Sequence, residues 1–179
     1  GWLAALYARC CQGRAIDAPA AALLTGPPAA GKTSLMSQVM MHVLMMGELI
    51  PILIKVQRLQ AQLLESPDAF AASWNWVDAY LRIEYGDTPI YRMLRQAMAA
   101  RRSLILLDGL DEGGAKRGEI EAHVAEVLAP QGHVLLCTSR PAGVTEERFV
   151  TFRRLALSPL TEVQQEQALT RRLGGSGAR

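Results

Sequence analysis

The sequence lacks a long apolar run, an excess of charge of either sign, and almost all lysine. Among its 179 residues no stretch reaches the roughly 18–20 apolar residues that cross a bilayer. The most apolar segment, Val39 to Val56, is broken by His42, Gly47, Glu48, Pro51 and Lys55. The opening GWLAALYARCC has no basic stretch ahead of its apolar residues, so it does not read as a secretory signal. Nineteen basic and 17 acidic residues give a net charge of +2. That balance leaves no basic footprint, and the expectation is no nucleic-acid partner and no membrane partner. The three cysteines are an odd number, and Cys10, Cys11 and Cys137 have no zinc-ligand spacing. A reduced, cytoplasmic setting is expected. Lysine is confined to Lys32, Lys55 and Lys116, so a lysine with a special task is one of three. No repeat is apparent at a period of 20–50 residues.

What is present is a globular composition, with 50% hydrophobic and 20% charged residues. The length suits one domain with a core of its own. The chain opens on Gly and closes on GGSGAR, so both ends read as cuts in a longer chain. The expected division is an N-terminal helix and linker over 1–19, a core over 20–173, and a flexible end over 174–179.

Short apolar runs alternate with helical patterns. Strands are expected at Ala20–Thr25, Ile50–Val56, Ser103–Asp108, His133–Thr138 and Phe149–Leu157, with Pro51 pointing to an edge. Helices are expected at Trp2–Gln12, Lys32–Met46, Pro67 to about Tyr85, Pro89 to about Arg102, Glu119–Leu128 and Thr161–Leu173. Ser66-Pro67 and Thr88-Pro89 are start signals, and Thr161 with Gln164 has the spacing of a capping box. The methionines at 36, 40, 41, 45 and 46 are expected in the core. Strands alternating with helices imply an α/β fold, a three-layer α/β/α arrangement around a mainly parallel five-stranded sheet.

Three segments carry chemistry. The first is Gly26-Pro27-Pro28-Ala29-Ala30-Gly31-Lys32-Thr33, followed by Ser34, which fits G-x-x-x-x-G-K-[ST]. Glycines let successive backbone N–H groups turn into one cavity at a helix N-terminus, where an anion is stabilised. Lys32 can reach the β- and γ-phosphates of a nucleotide, and the Thr33 hydroxyl is placed for Mg²⁺. The second segment is the apolar strand that ends in Asp108, followed by Gly109-Leu110-Asp111-Glu112. A carboxylate at the C-terminal edge of a parallel strand suits a metal held beside a phosphate. Either Asp111 or Glu112 could orient or deprotonate an attacking water. The third is Leu135-Leu-Cys-Thr-Ser-Arg140-Pro141, which sets a guanidinium at another strand end, where it could contact a γ-phosphate.

Together GPPAAGKT, LILLDGLDE and LLCTSRP resemble the NACHT branch of the STAND signal-transduction P-loop NTPases, over roughly Ala20 to Leu173. DGLDE and TSRP carry most of the likeness, while the GPP opening looks more like AAA+ ATPases. The resemblance implies an ATP- or ADP-binding, slowly hydrolysing switch with Mg²⁺ as cofactor. It implies a sensor strand lying between the phosphate-loop strand and the strand of Asp108. It assigns Lys32 and Thr33 to phosphate and metal, Asp108 to the metal, Asp111 or Glu112 to hydrolysis, and Arg140 to sensing the γ-phosphate. It further implies partners within a longer protein, namely helical, winged-helix, sensor and effector domains, and a nucleotide-dependent oligomer. Two other readings stay open: an AAA+-like motor or other ATP-consuming enzyme, and a non-catalytic nucleotide-binding scaffold. A guanine-reading N-K-x-D and an LSGGQ signature are both absent.

Overall fold

Residues 20–173 are described in the computed structural model. The helix expected at 2–12, the linker before residue 20 and the end over 174–179 lie outside them. Strand β1 (Ala21–Thr25) runs into the glycine-proline loop and helix α1 (Lys32–Met46). Strand β2 (Ile50–Lys55) leads without a loop into α2 (Val56–Glu65), α3 (Pro67–Ala71), α4 (Trp76–Tyr85) and α5 (Pro89–Ala99). After β3 (Ser103–Asp108) come two short 3₁₀ turns and α6 (Arg117–His123), which widens into a π turn over Val124–Leu128. Strand β4 (Val134–Ser139), 3₁₀ turns at Pro141–Gly143 and Glu146–Phe149, strand β5 (Arg153–Ala156) and α7 (Glu162–Leu173) complete the described chain.

All pairings are parallel, in the order β2-β3-β4-β1-β5. The strand that ends in Arg140's turn thus lies between the phosphate-loop strand and the strand of Asp108, as the resemblance implied. Pro51 sits on the edge strand β2, where its missing N–H leaves no ladder bond unmade. The two-residue period of the strands splits the core between two faces. Leu23, Ile52, Ile105, Leu135 and Cys137 pack beneath the helices α2 to α6. Ala22, Leu24, Leu104, Leu106 and Leu136 pack against Met36 and Val43 of α1. Burial on both faces is why these strands read as continuous apolar runs.

Three expectations need correction. The helix expected from Pro67 to Tyr85 is two helices, broken at Ser73-Trp74-Asn75. Ser73 Oγ donates to the carbonyls of Phe70 (3.0 Å) and Asn75 (3.1 Å). Buried Asn75 caps α4 by accepting from the Asp78 N–H at 2.9 Å, while its Nδ2 donates to Gln131. Side-chain bonds to the backbone thus win over helix continuation. Secondly, the strand expected over Phe149–Leu157 shrinks to Arg153–Ala156. Phe149 and Phe152 sit in the preceding turn and pack edge to face at 5.0 Å inside the core. Thirdly, of the α1 methionines only Met36 is fully buried, and Met41, Met45 and Met46 are exposed. The other start signals hold: Thr88 Oγ1 accepts from the Tyr91 N–H, and Thr161 with Gln164 makes the reciprocal bonds of a capping box.

Candidate nucleotide site

The strand order brings the ends of β1, β3 and β4 to one edge of the sheet, and a cavity of about 350 Å³ lies there. Its lining includes residues 28–34, Asp108, Gly109, Asp111, Glu112, Thr138 and Arg140. Every candidate site residue lines it except Gly26 and Pro27. Those two serve instead as acceptors: Lys32 Nζ donates to the Gly26 carbonyl at 2.7 Å and to that of Pro27 at 2.9 Å.

Local geometry explains the loop's composition. Gly26 is buried, and a Cβ there would lie 3.2 Å from Leu157 Cβ, so any larger residue would push against the segment after β5. Gly31 has φ 90°, and Ala29 is held at φ 60°, a left-handed conformation that costs a non-glycine residue roughly 1–2 kcal/mol. Helix α1 begins at once, with no side-chain cap and no acidic residue in its first turn. Its first N–H groups and the positive end of its dipole therefore suit an incoming anion.

A side-chain bond ties the start of α1 to the end of β3. Thr33 Oγ1 donates to Asp108 Oδ2 at 2.8 Å. The other oxygen, Oδ1, accepts from Thr138 Oγ1 at 2.7 Å, and the same hydroxyl accepts from the Gly109 N–H at 2.9 Å. Thr138 is fully buried, so it fixes the rotation of the Asp108 carboxylate. A hydroxyl and a carboxylate oxygen side by side are the hard donors that Mg²⁺ takes when phosphate and water supply the rest. Among the described residues no group of three His, Cys, Asp or Glu side chains could hold a metal by itself.

The acidic pair after Asp108 is divided by its surroundings. Gly109 has φ 81°, and a Cβ on it would lie 3.1 Å from Glu112 Oε2. Glycine at this position thus permits both the turn and the approach of the Glu112 carboxylate. Glu112 is exposed to the cavity, and its carboxylate makes no hydrogen bond to the described residues. Asp111 is mostly covered; its Oδ1 accepts from Ser139 Oγ (3.3 Å) and the Arg140 backbone N–H (3.1 Å), and its Oδ2 forms an ion pair with Arg140 Nε at 3.0 Å.

Sequence reasoning passed over Thr138, Ser139 and Gly143 as site residues. The available signal was two hydroxyls closing an otherwise apolar strand where it meets the crevice. On the far side of the sheet from α1, Cys137 is wholly buried and its thiol is pushed up to about 12 by burial.

No protein-family model matches the chain, and no curated protein matches it. Solved structures do match. Caenorhabditis elegans PCH-2 superposes with a TM-score of 0.55 at 17% identity, over 97% of this chain and 47% of that one. The Aeropyrum pernix ORC1 protein in complex with DNA gives 0.57 at 16% identity, over 97% and 47%. AMPPCP-bound DnaA from Aquifex aeolicus gives 0.54 at 14% identity, over 97% and 50%. The chain has the P-loop NTPase fold. These P-loop neighbours are AAA+ ATPases, and the chain spans about half the length of each. One expectation is overturned by them. Charge balance argued against a nucleic-acid partner, yet ORC1 carries this P-loop fold in a complex with DNA. The expectation of no nucleic-acid partner is therefore withdrawn. Among the described residues no helix is long and apolar enough to cross a membrane.

Proposed function

We propose that the chain is an ATP- and ADP-binding switch module that hydrolyses slowly, of the NACHT type within the P-loop NTPases. The observation that carries the nucleotide reading is the Thr33–Asp108 hydrogen bond. It joins an open helix N-terminus to a strand-end carboxylate at one cavity. DGLDE and TSRP support the NACHT assignment. In this reading the backbone of 28–34 wraps the phosphates and Lys32 leaves its loop carbonyls for the β- and γ-phosphates. Thr33 and Asp108 would hold Mg²⁺, which supplies neutralising charge on the phosphate oxygens.

Hydrolysis then needs a water in line with the γ-phosphorus. Its oxygen bonds to phosphorus while the bond to the β-phosphate oxygen breaks, releasing ADP and inorganic phosphate. Glu112, with its oxygens free of protein donors, orients that water and takes its proton. Arg140 meets the charge of the γ-phosphate. ATP and ADP would favour different arrangements only to the extent that such contacts differ between them.

A second reading is an AAA+-like ATPase, and the likeness in fold to PCH-2, ORC1 and DnaA favours it equally. Binding of Mg·ADP and Mg·ATP, measured by calorimetry on wild type and Lys32→Ala, tests the nucleotide assignment. A loss of at least about tenfold is expected from removing a charge-assisted phosphate contact. Glu112→Gln should bind normally and hydrolyse slowly. Fast multiple turnover by the wild type favours the AAA+ reading over the switch, and unchanged affinity in Lys32→Ala refutes both.

A further inference from the structure

Two neighbouring carboxylates, Asp111 and Glu112, line the same cavity but meet different surroundings. Glu112 is free of protein donors, whereas Asp111 is occupied on both oxygens by the turn that follows β4. Oδ1 accepts from Ser139 Oγ at 3.3 Å and from the Arg140 backbone N–H at 3.1 Å. Oδ2 pairs with Arg140 Nε at 3.0 Å. The turn is closed by the Gly143 N–H donating to the Arg140 carbonyl at 3.0 Å. It presses directly on Asp111: a Cβ on Gly143 would lie 2.4 Å from Asp111 Cβ. The Asp111 side chain is 11% exposed, while that of Arg140 is 57% exposed. One end of this ion pair is thus fixed in the protein and the other reaches into the open.

We propose that Asp111 is a positioning residue for Arg140 and not a proton acceptor. It braces the guanidinium by its Nε side and leaves the terminal edge for the last phosphate of a bound triphosphate. The inference rests on the nucleotide reading above. A guanidinium has five N–H donors in a planar fork. The ion pair uses Nε, and neither terminal nitrogen makes a hydrogen bond to the described residues. A flexible arginine held in place beforehand loses less freedom when it meets its ligand, so the brace favours the triphosphate. The diphosphate, which does not reach that far, gains nothing. The pair also fastens the turn after β3 to the turn after β4, so a change at Arg140 is felt at the residue beside Glu112.

The test compares the affinities of Mg·AMPPCP and Mg·ADP in wild type, Asp111→Asn, Arg140→Ala, Arg140→Lys and the Asp111→Asn/Arg140→Ala pair. Asp111→Asn should lower AMPPCP affinity about tenfold and leave ADP affinity nearly unchanged, as expected for a lost charge-assisted contact. Arg140→Ala should do the same, and the double variant should lose no more, because each single change removes one shared contact. Arg140→Lys keeps the charge and has no second edge, so it should behave like Arg140→Ala. Should Asp111→Asn not fold, this lysine variant carries the test. A wild-type AMPPCP-to-ADP ratio in Asp111→Asn or in Arg140→Lys overturns the brace. Equal loss of both nucleotides in Asp111→Asn, or losses that multiply in the double variant, also overturn it. If the wild type binds neither nucleotide, the nucleotide reading itself falls and the brace with it.

Discussion

Replacing Thr138 by valine keeps shape and branching at a fully buried strand position and deletes only the hydroxyl. That oxygen donates to Asp108 Oδ1 at 2.7 Å and accepts from the Gly109 N–H at 2.9 Å. Two losses follow. A hydrogen bond to a charged group contributes about 1.5–3 kcal/mol, and a buried N–H left without an acceptor costs about 1–3 kcal/mol. Asp108 borders the cavity, so water can partly replace the first bond, which sets the expected destabilisation near the lower end, at about 3 kcal/mol. For a chain of this size that lowers the melting temperature by roughly 6–12 °C. Thr138→Ser is the control: it keeps the hydroxyl, loses one methyl group and should cost only about 1 kcal/mol. Urea unfolding followed by circular dichroism, with calorimetric melting, reads both. A valine variant within about 1 kcal/mol of wild type refutes the reasoning. So does a serine variant as unstable as the valine one.

Acid should weaken the fold through two histidines. His133 is fully buried with neither ring nitrogen bonded to the described residues, and burial, aided by the charge of Arg101, pushes it down to about 4. Burial pushes His123 down to about 4 as well, and its Nε2 accepts from the Trp76 N–H at the start of α4, a bond that protonation breaks. Unfolded histidine titrates near 6.5, so the unfolded chain takes up two protons that the folded chain refuses until about pH 4. Stability is fully present above pH 6.5 and falls toward pH 4, by up to about 2.7 kcal/mol per pH unit for the pair. Urea midpoints between pH 4 and 7 should show this slope, and His133→Leu should remove about half of it. Gly143→Ala forces a methyl group into Asp111 and Ser139 Oγ and should destabilise by about 1–3 kcal/mol. Gly118→Ala, in open space on α6, should instead raise the melting temperature slightly.

The legible parts of this chain are those where local chemistry and tertiary structure ask for the same residues. The phosphate loop, helix α1 and strand β3 read correctly because Gly31, Gly47 and a doubly buried apolar run each have one physical use there. The site's three segments were equally plain, since each ends a parallel strand. What could not be read is decided by partners far away in sequence. The break between α3 and α4 depends on Asn75 reaching Gln131, 56 residues on. The phenylalanines at 149 and 152 fit a strand pattern, and only the shape of the core turns them inward. The different surroundings of Asp111 and Glu112 could not be read in advance, because nothing local shows that the turn after β4 folds back onto the first and not the second.

The C-terminal half of helix α1 carries Met41, Leu44, Met45 and Met46 at 50–84% exposure. Thioethers there are open to peroxide, while Met36, on the same helix and at 0% exposure, is shielded. Oxidation would convert this greasy ridge into one bearing dipolar sulfoxides and leave the packing beneath the phosphate loop intact. One helix thus carries at opposite ends the glycine-proline loop and a surface whose wetting can be rewritten chemically.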